Sequence, residues 1–492
     1  MTDSASAPAR NPRRIVFRNT IFGIGAQLAL KAANFVFIVF VVNQLGGSAY
    51  GQYQIVLAWA VLISFIGDMG ITTYLSREIS RDPKRANDLF WDTVSLRFIL
   101  AIICTIVTIG AAKLLTDYSD EIILAIGLYT ITYFFMMIID PLGRLLSGNE
   151  RVDIFSILDV IAKVSFMIVA TIFLLMGLGF VWLVLAGPIT MPLILILHIW
   201  AVRRYHLGPP KFHVNPGMWW AVLKAGLPFA FIQLAITFAL RIDTIVLSSY
   251  VSDEMIGWYS TAYNLTLTLT GVAVSFNNAL FPTLTREHET NPEVVRPVYY
   301  RLVKMILFIS LPIAVGGMLT AGKIVTLLYK PEIAPAMIPL AIMVWDIPLS
   351  MYHMFSSYMS TAIQTERRAA LIYVTMGVLN LVLNLLLVPL FGVVGAALTT
   401  VLTDLVGAAL FYFMLRHQLG AGLGLKRLIR VPLAAALMGI LIYLLRDQSL
   451  FVMVGAGAVA YIALIWVSGA FSADELSILT SFVTRRLRPR AA

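Results

Sequence analysis

The 492 residues are 59% hydrophobic and 13% charged, with a mean hydropathy of +0.86, whereas about a quarter of a soluble domain's residues are charged. That balance excludes a soluble enzyme. The formal charge of +10 does not mark a nucleic-acid binder either, because the basic residues fall in short clusters between apolar runs. The single cysteine, Cys104, lies inside such a run, which excludes a disulfide framework and argues against redox or metal chemistry.

Apolar runs long enough to cross a bilayer as helices lie near 16–43, 51–75, 91–115, 121–146, 153–177, 179–202, 224–249, 255–283, 302–322, 336–363, 368–390, 391–415, 428–446 and 449–471. The chain therefore reads as an all-α polytopic membrane protein of about fourteen transmembrane helices. The tightest joins are Gly177-Leu-Gly179 and Pro389-Leu-Phe-Gly392, where a short turn has to separate two helices. Arg10, Arg13, Arg14 and Arg18 precede a span too long for the apolar core of a cleavable leader, so none is expected.

Charge tests this count, because cytoplasmic loops collect Lys and Arg. With the N-terminus cytoplasmic, the inner segments hold the first four arginines; Arg77, Arg81, Lys84 and Arg85; Arg144 and Arg151; and Arg203, Arg204, Lys211 and Lys224. In the second half they hold Arg286, Arg296, Arg301 and Lys304; Arg367 and Arg368; Arg416, Lys426, Arg427 and Arg430; and Arg485, Arg486, Arg488 and Arg490. The outer side has Lys113, Lys323, Lys330 and Arg446. A miscounted span would destroy this alternation, so both termini are expected on the cytoplasmic side.

The longest inner connection contains Gly208-Pro-Pro210 and Asn215-Pro-Gly217 before Trp219 and Trp220, and falls after span six. It divides the chain into a basic N-terminus (1–15), a first lobe of six helices (16–202), a linker (203–223), a second six-helix lobe (224–415), two further spans (416–471) and a basic tail (472–492). Tyr50-Gly51-Gln-Tyr53 and Ile256-Gly257-Trp-Tyr259 open spans two and eight, 206 residues apart. This short echo, with the matching topology, reads as two pseudo-symmetric halves, an arrangement that places a substrate site at their interface.

Three stretches resemble the polysaccharide-type flippases of the multidrug/oligosaccharidyl-lipid/polysaccharide exporter superfamily. They are Phe65-Ile-Gly67-Asp68-Met-Gly70 with the following Arg77-Glu78; Gly226-Leu-Pro through Arg241-Ile-Asp243 to Gly257-Trp-Tyr259; and Asn380 through Asn384 and Pro389 to Gly392 and Gly395. The resemblance implies a V-shaped pair of six-helix bundles working by alternating access. It also implies a substrate of polyprenyl pyrophosphate carrying an oligosaccharide, moved from the cytoplasmic to the periplasmic leaflet of a bacterial inner membrane. Spans thirteen and fourteen are implied to help form a groove for the lipid tail. No nucleic acid is expected as a partner; membrane lipids and the polysaccharide polymerase and export machinery are.

The chemistry such a site needs is ionic. A charge inside the hydrocarbon costs about 2.5–3.5 kcal/mol on insertion scales, so buried cations are candidates to hold phosphates. Arg241 and Lys31, deep in spans seven and one, are the first candidates, with Asn34 and Asn264, and less specifically Gln27 and Gln233, to meet sugar hydroxyls. Arg97 is close enough to the cytoplasmic face to snorkel, and Lys163 follows Asp159 by four residues, the spacing of a self-neutralising pair. Asp243, Asn380, Asn384 and Asp404 have the oxygen chemistry of a hard-cation site, and the resemblance implies sodium among helices seven, eleven and twelve. Asp346 or Asp404 would equally serve proton coupling, and polar residues in membrane helices also serve simply as interhelical hydrogen bonds. Asp68 reads as part of a structural turn and Asp140, before Pro141, as a kink or gate element. His198 and His353 are isolated, without metal-ligand spacing, and receive no role. Gly420-Ala-Gly422-Leu-Gly424 lacks a preceding strand and a phosphate-binding lysine, so no nucleotide cofactor is expected.

These readings favour a flippase for lipid-linked oligosaccharide in cell-surface or exopolysaccharide synthesis. Its rivals are a multidrug antiporter or a lipid II flippase of the same superfamily, and, from another class, an integral-membrane glycosyltransferase or polymerase. The short outer loops offer little room for the acid–base residues such an enzyme needs.

Overall fold

The computed structural model describes residues 12–82, 86–205, 207, 213–270, 292–419 and 428–470, some of them by backbone alone. Every regular element among them is helical. In order these are α1 (Pro12–Asp68), α2 (Ile71–Arg81), α3 (Ala86–Leu115), α4 (Asp120–Gly148), α5 (Val152–Leu175), α6 (Phe180–Arg204), α7 (Pro216–Leu247), α8 (253–270) and α9 (Pro292–Leu328). A 3₁₀ turn (Pro331–Ala336) leads to α10 (Met337–Met343), α11 (Asp346–Ala362), α12 (Glu366–Phe391), α13 (Val393–Leu419), α14 (Arg430–Leu444) and α15 (Leu450–Val467).

Nine of these helices are individually long and apolar enough to cross a bilayer, and a tenth span is the pair Pro331–Met343 and Asp346–Thr361, bent by 46° where a single straight helix was expected. The second half of α1, together with α7, α8 and the shorter α14, occupies the remaining places expected for about fourteen spans. Two boundaries differ. Spans one and two are two helices joined without a loop through a kink at Gly46, whose φ of 75° belongs to the left-handed region where a residue without a Cβ sits at no steric cost. Span two ends at Asp68 rather than 75, and the amphipathic α2 follows as a separate element. The turn expected across 389–392 narrows to Gly392 at φ 54°, so that α12 runs on through Pro389. Helix α7 starts at Pro216, within the stretch read as linker, capped by the Asn215 side chain accepting from the Gly217 amide at 3.1 Å. The Gly420–Gly424 run and the arginine-rich tail lie outside the described residues.

The first lobe is held by α4 against α3 and α6, and by α5 against α6; in the second, α12 packs on α13 and α7, and α11 on α9 and α13. Helices α14 and α15 pack on α9, where the Tyr461 hydroxyl donates to the Phe308 carbonyl at 2.9 Å. The lobes meet near 43–52 and 251–258. A methyl added to Gly51 would overlap the Asp253 carbonyl, and one added to Gly257 would overlap the Gly47 carbonyl. Residues 47 and 51 correspond to 253 and 257 at the offset seen in the sequence, so the two halves exchange equivalent backbone contacts across an approximate two-fold axis. Gln52 Nε2 donates to Asp253 Oδ2 at 2.9 Å, and Asn43 bonds both the Leu328 carbonyl (2.8 Å) and the Lys330 amide (2.9 Å). Trp258 Nε1 donates to the Glu332 carbonyl at 3.0 Å, closing this end further.

Arg97 does not snorkel. It is 1% exposed and joins two carboxylates, Asp68 Oδ1 at 3.2 Å and Asp140 Oδ2 at 2.9 Å. Asp68 also accepts from the amide and hydroxyl of Thr72, so it caps α2 while binding the arginine, and the turn reading holds with this addition. Asp140 is an ion-pair partner within an uninterrupted α4. Removing one member of a buried ionic group leaves charges uncompensated. Arg97→Met is therefore expected to destabilise the first lobe by about 3 kcal/mol, read as a lowered midpoint in thermal unfolding of the detergent-purified protein.

Candidate functional site

A cavity of about 360 Å³ opens between the lobes, lined by Lys31, Asn34 and Ile38 from α1, Lys163 and Met167 from α5, and Asn264 and Thr268 from α8. Three of the expected substrate residues, Lys31, Asn34 and Asn264, thus share one wall-to-wall space. On α1 the three-residue spacing of Lys31 and Asn34 puts both on one face, and both are exposed to the cavity. Lys163 is paired with Asp159 at 2.7 Å, as its spacing suggests, yet half of its side chain remains exposed. Lysines from two helices make this a positively charged, amide-lined recess suited to an oxyanion and hydroxyls.

Arg241 does not line this recess. Its Nη1 donates to Gln54 Oε1 at 3.0 Å across the lobe interface, within electrostatic reach of the hydroxyls of Tyr50, Tyr53, Tyr129 and Tyr263. Tyr50 in turn accepts from Asn264 Nδ2 at 2.9 Å. A polar relay of Arg241, Gln54, Tyr50 and Asn264 therefore joins the arginine to the cavity wall. The side chains of Gln27 and Gln233 lie outside the described residues.

Asp243, 3% exposed, forms a second centre. Its Oδ2 accepts from Tyr259 Oη at 2.7 Å and Thr400 Oγ1 at 3.2 Å; its Oδ1 accepts from Asn384 Nδ2 at 2.5 Å. The same Asn384 amide reaches Asn380 Oδ1 at 3.1 Å, one helical turn away. Asp243, Asn380 and Asn384 come together as expected, while Tyr259 and Thr400 were not anticipated. Asp404 is not among this group: Thr400, one turn earlier on α13, takes that place. Asn384 Oδ1 is buried without a hydrogen-bond partner. One carboxylate, two amide oxygens and two hydroxyls, one oxygen orphaned, suit a monovalent hard cation, since such cations take oxygen ligands and ligand charge tunes the affinity. No cluster of three His, Cys, Asp or Glu suited to a metal ion occurs among the described residues.

Asp404 belongs to a third group. His353 Nε2 lies 3.0 Å from Asp404 Oδ2, and Asp346, the first residue of α11, lies within electrostatic reach of both. His353, which carries no signal in the sequence, is fixed by stacking on Phe411 and by the edge of Tyr373. His198 is buried, its Nδ1 2.9 Å from the Ile194 carbonyl of its own helix.

The two-lobed helical fold, with a polar cavity at the interface, is that of a multi-pass membrane protein. It matches the inward closed conformation of the lipid II flippase MurJ with a TM-score of 0.76 at 14% identity, over 91% of this chain and 98% of that one. It also matches the inward-facing conformation of a multidrug resistance transporter of the MOP superfamily, with a TM-score of 0.63 at 16% identity, over 80% and 94%. The chain belongs to the polysaccharide biosynthesis protein family, whose model spans residues 16–288; the MatE model matches residues 228–386. Among similar proteins is the probable flippase AglR of Haloferax volcanii, 22% identical over 409 residues, which cover 80% of this chain and 82% of that one.

Proposed function

We propose that this protein is a flippase that carries polyprenyl-pyrophosphate-linked oligosaccharide from the cytoplasmic to the periplasmic leaflet of a bacterial inner membrane, for cell-surface or exopolysaccharide synthesis. The observation that carries this reading is the recess between the lobes, where Lys31 and Lys163 stand beside Asn34, Asn264 and Thr268. Lysines bind phosphate oxygens as point charges, and amides and a hydroxyl satisfy sugar hydroxyls. The prenyl chain stays in lipid while the head group crosses in the cavity. Arg241, through Gln54 and Tyr50, holds the second and first lobes in the arrangement that presents Asn264 to the cargo. A multidrug antiporter for organic cations fits this recess less well, because a cationic cargo needs acidic or aromatic walls. Lipid II shares the head-group chemistry and differs in the sugar.

The oxygens of Asp243, Asn380, Asn384, Tyr259 and Thr400 would hold a coupling sodium ion, which would neutralise the buried carboxylate. The chain's own part is to keep these groups dry and converged from α7, α8, α12 and α13.

The test is reconstitution in liposomes with a labelled polyprenyl-pyrophosphate oligosaccharide in one leaflet, scored by its appearance in the other. Lys31→Gln and Lys163→Gln are each expected to slow translocation by about tenfold, the loss of about 1.4 kcal/mol of interaction. Export of organic cations with no movement of any lipid-linked sugar would overturn the proposal.

A further inference from the structure

Helix α5 carries two opposite charges in the middle of an apolar span. Asp159 and Lys163 are its only ionisable residues after Asp153. Four-residue spacing puts Asp159, Lys163 and Met167 on one face. Ile157, Val164, Ile168 and Ile172 form an exposed apolar row on the other side, so the charges turn away from the surface suited to lipid. Lys163 and Met167 line the recess, and Asp159 stands one turn before them. Its Oδ2 accepts from Lys163 Nζ at 2.7 Å.

Such a pair is a poor device for stability. An ion pair at this spacing adds little to a helix, whereas each charge is costly within a membrane span, and neutral residues at both places would serve the helix better. Nor does packing lock the pair: the two side chains are 52% and 48% exposed, so either partner is open to exchange. An ammonium has three donors, and Asp159 takes one of them. A phosphate entering the recess therefore meets a lysine already held by a carboxylate, and the two anions repel each other across it. Asp159 offsets one of the two lysine charges of the recess.

We infer that Asp159 is an internal stand-in for the oxyanion of the cargo. In the empty recess it keeps Lys163 paired, so that no lone ammonium is carried through the return of the lobes. In the loaded recess it competes with the head-group phosphates for the same ammonium. That competition holds cargo affinity below what the two lysines would otherwise give, and it eases release. Asp159 acts through Lys163 and is a positioning residue, not a cargo ligand. The inference deepens the flippase reading and rests on it.

Binding of geranylgeranyl pyrophosphate to the purified full-length protein in detergent tests this, with geranylgeraniol as the control that lacks phosphates. Asp159→Asn is expected to bind the pyrophosphate about tenfold more tightly than the wild type. Asp159→Glu, which keeps the carboxylate, should bind it as the wild type does. A pair that only braced the helix would give no gain in affinity on losing its acid. Exchanging both residues, Asp159→Lys with Lys163→Asp, keeps an ion pair and hence the unfolding midpoint, but turns a carboxylate into the recess. It is expected to lose the binding, and it carries the test if Asp159→Asn fails to fold. In liposomes Asp159→Asn should half-saturate at a lower lipid concentration and turn over more slowly at saturation, each by about tenfold. Wild-type or weaker affinity in folded Asp159→Asn overturns the inference, as does retained binding in the exchanged pair. Phosphate-dependent binding in no variant, wild type included, overturns the cargo reading of the recess itself.

Discussion

Gly257→Val is expected to keep the two lobes from closing and to reduce cargo translocation by about 100-fold. The side chain would occupy the position of the Gly47 carbonyl, a backbone group that cannot rotate away as a flexible side chain could. Overpacking ordinarily costs about 1–3 kcal/mol, and an obstacle of fixed backbone falls at the upper end. About 3 kcal/mol against the closed arrangement lowers its population roughly 100-fold, and a cycle that passes through that arrangement slows with it. Gly51→Val should do the same, because its Cβ would meet the Asp253 carbonyl from the equivalent place in the other half. The direct measurement is disulfide formation between cysteines replacing Gln52 and Asp253, whose side chains touch in the closed form, with the only native cysteine, Cys104, replaced by serine. Crosslinking at the wild-type rate in Gly257→Val would show that this end closes by another route.

With sodium held by the oxygen cluster as proposed, Asp243→Leu is expected to abolish the stabilisation that sodium gives and to lower intrinsic stability, two effects with different origins. Loss of the carboxylate removes the charged ligand of the oxygen cluster, so the midpoint of thermal unfolding should no longer rise with sodium. The hydroxyl of Tyr259, the amide of Asn384 and the hydroxyl of Thr400 would then lose their shared acceptor in a buried setting. Each donor left unsatisfied costs about 1–3 kcal/mol. Asp243→Asn, which keeps the shape and one acceptor oxygen, separates the two: stability should be largely recovered while the sodium response stays lost. A sodium response of wild-type size in Asp243→Asn would place the cation elsewhere.

The apolar periods made the spans legible, and the paired asparagines one turn apart on α12 announced a polar helix face that does meet Asp243. Lys31 and Asn34 were legible for the same reason, as polar groups at helical spacing with no other polar residue between Gln27 and Asn43. What the sequence does not carry is the choice of partner across helices. Arg97 reads as a snorkelling residue until packing brings Asp68 and Asp140 from two other helices to it. Tyr259 and Thr400 are ordinary helix residues except for where α8 and α13 meet α7. His353 has no neighbour in sequence to suggest a role, because Asp404 lies 51 residues away on another element. The bend between α10 and α11 is invisible to apolar periodicity, but Pro348, in the first turn of α11, marks it, because it cannot donate to the Val344 carbonyl across the break.

Helix α7 belongs to neither half alone. Its beginning rests on the first lobe, where the Asn215 amide donates to Asp92 Oδ1 at 2.6 Å and Gly226 packs against the backbone of Met69 to Ile71. Its end, from Asp243 on, is built into the second lobe against α12 and α13. The mechanical seam of the molecule therefore runs through the middle of a helix rather than along the connecting loop. Any relative rotation of the halves has to be absorbed as curvature of that rod, between Gly226 and Arg241, where Pro228 cannot donate its backbone hydrogen bond. The loop before α7 would then be tolerant of insertion, while replacing Pro228 by a stiff helix former would load the rod like a spring and set the resting balance between the two orientations.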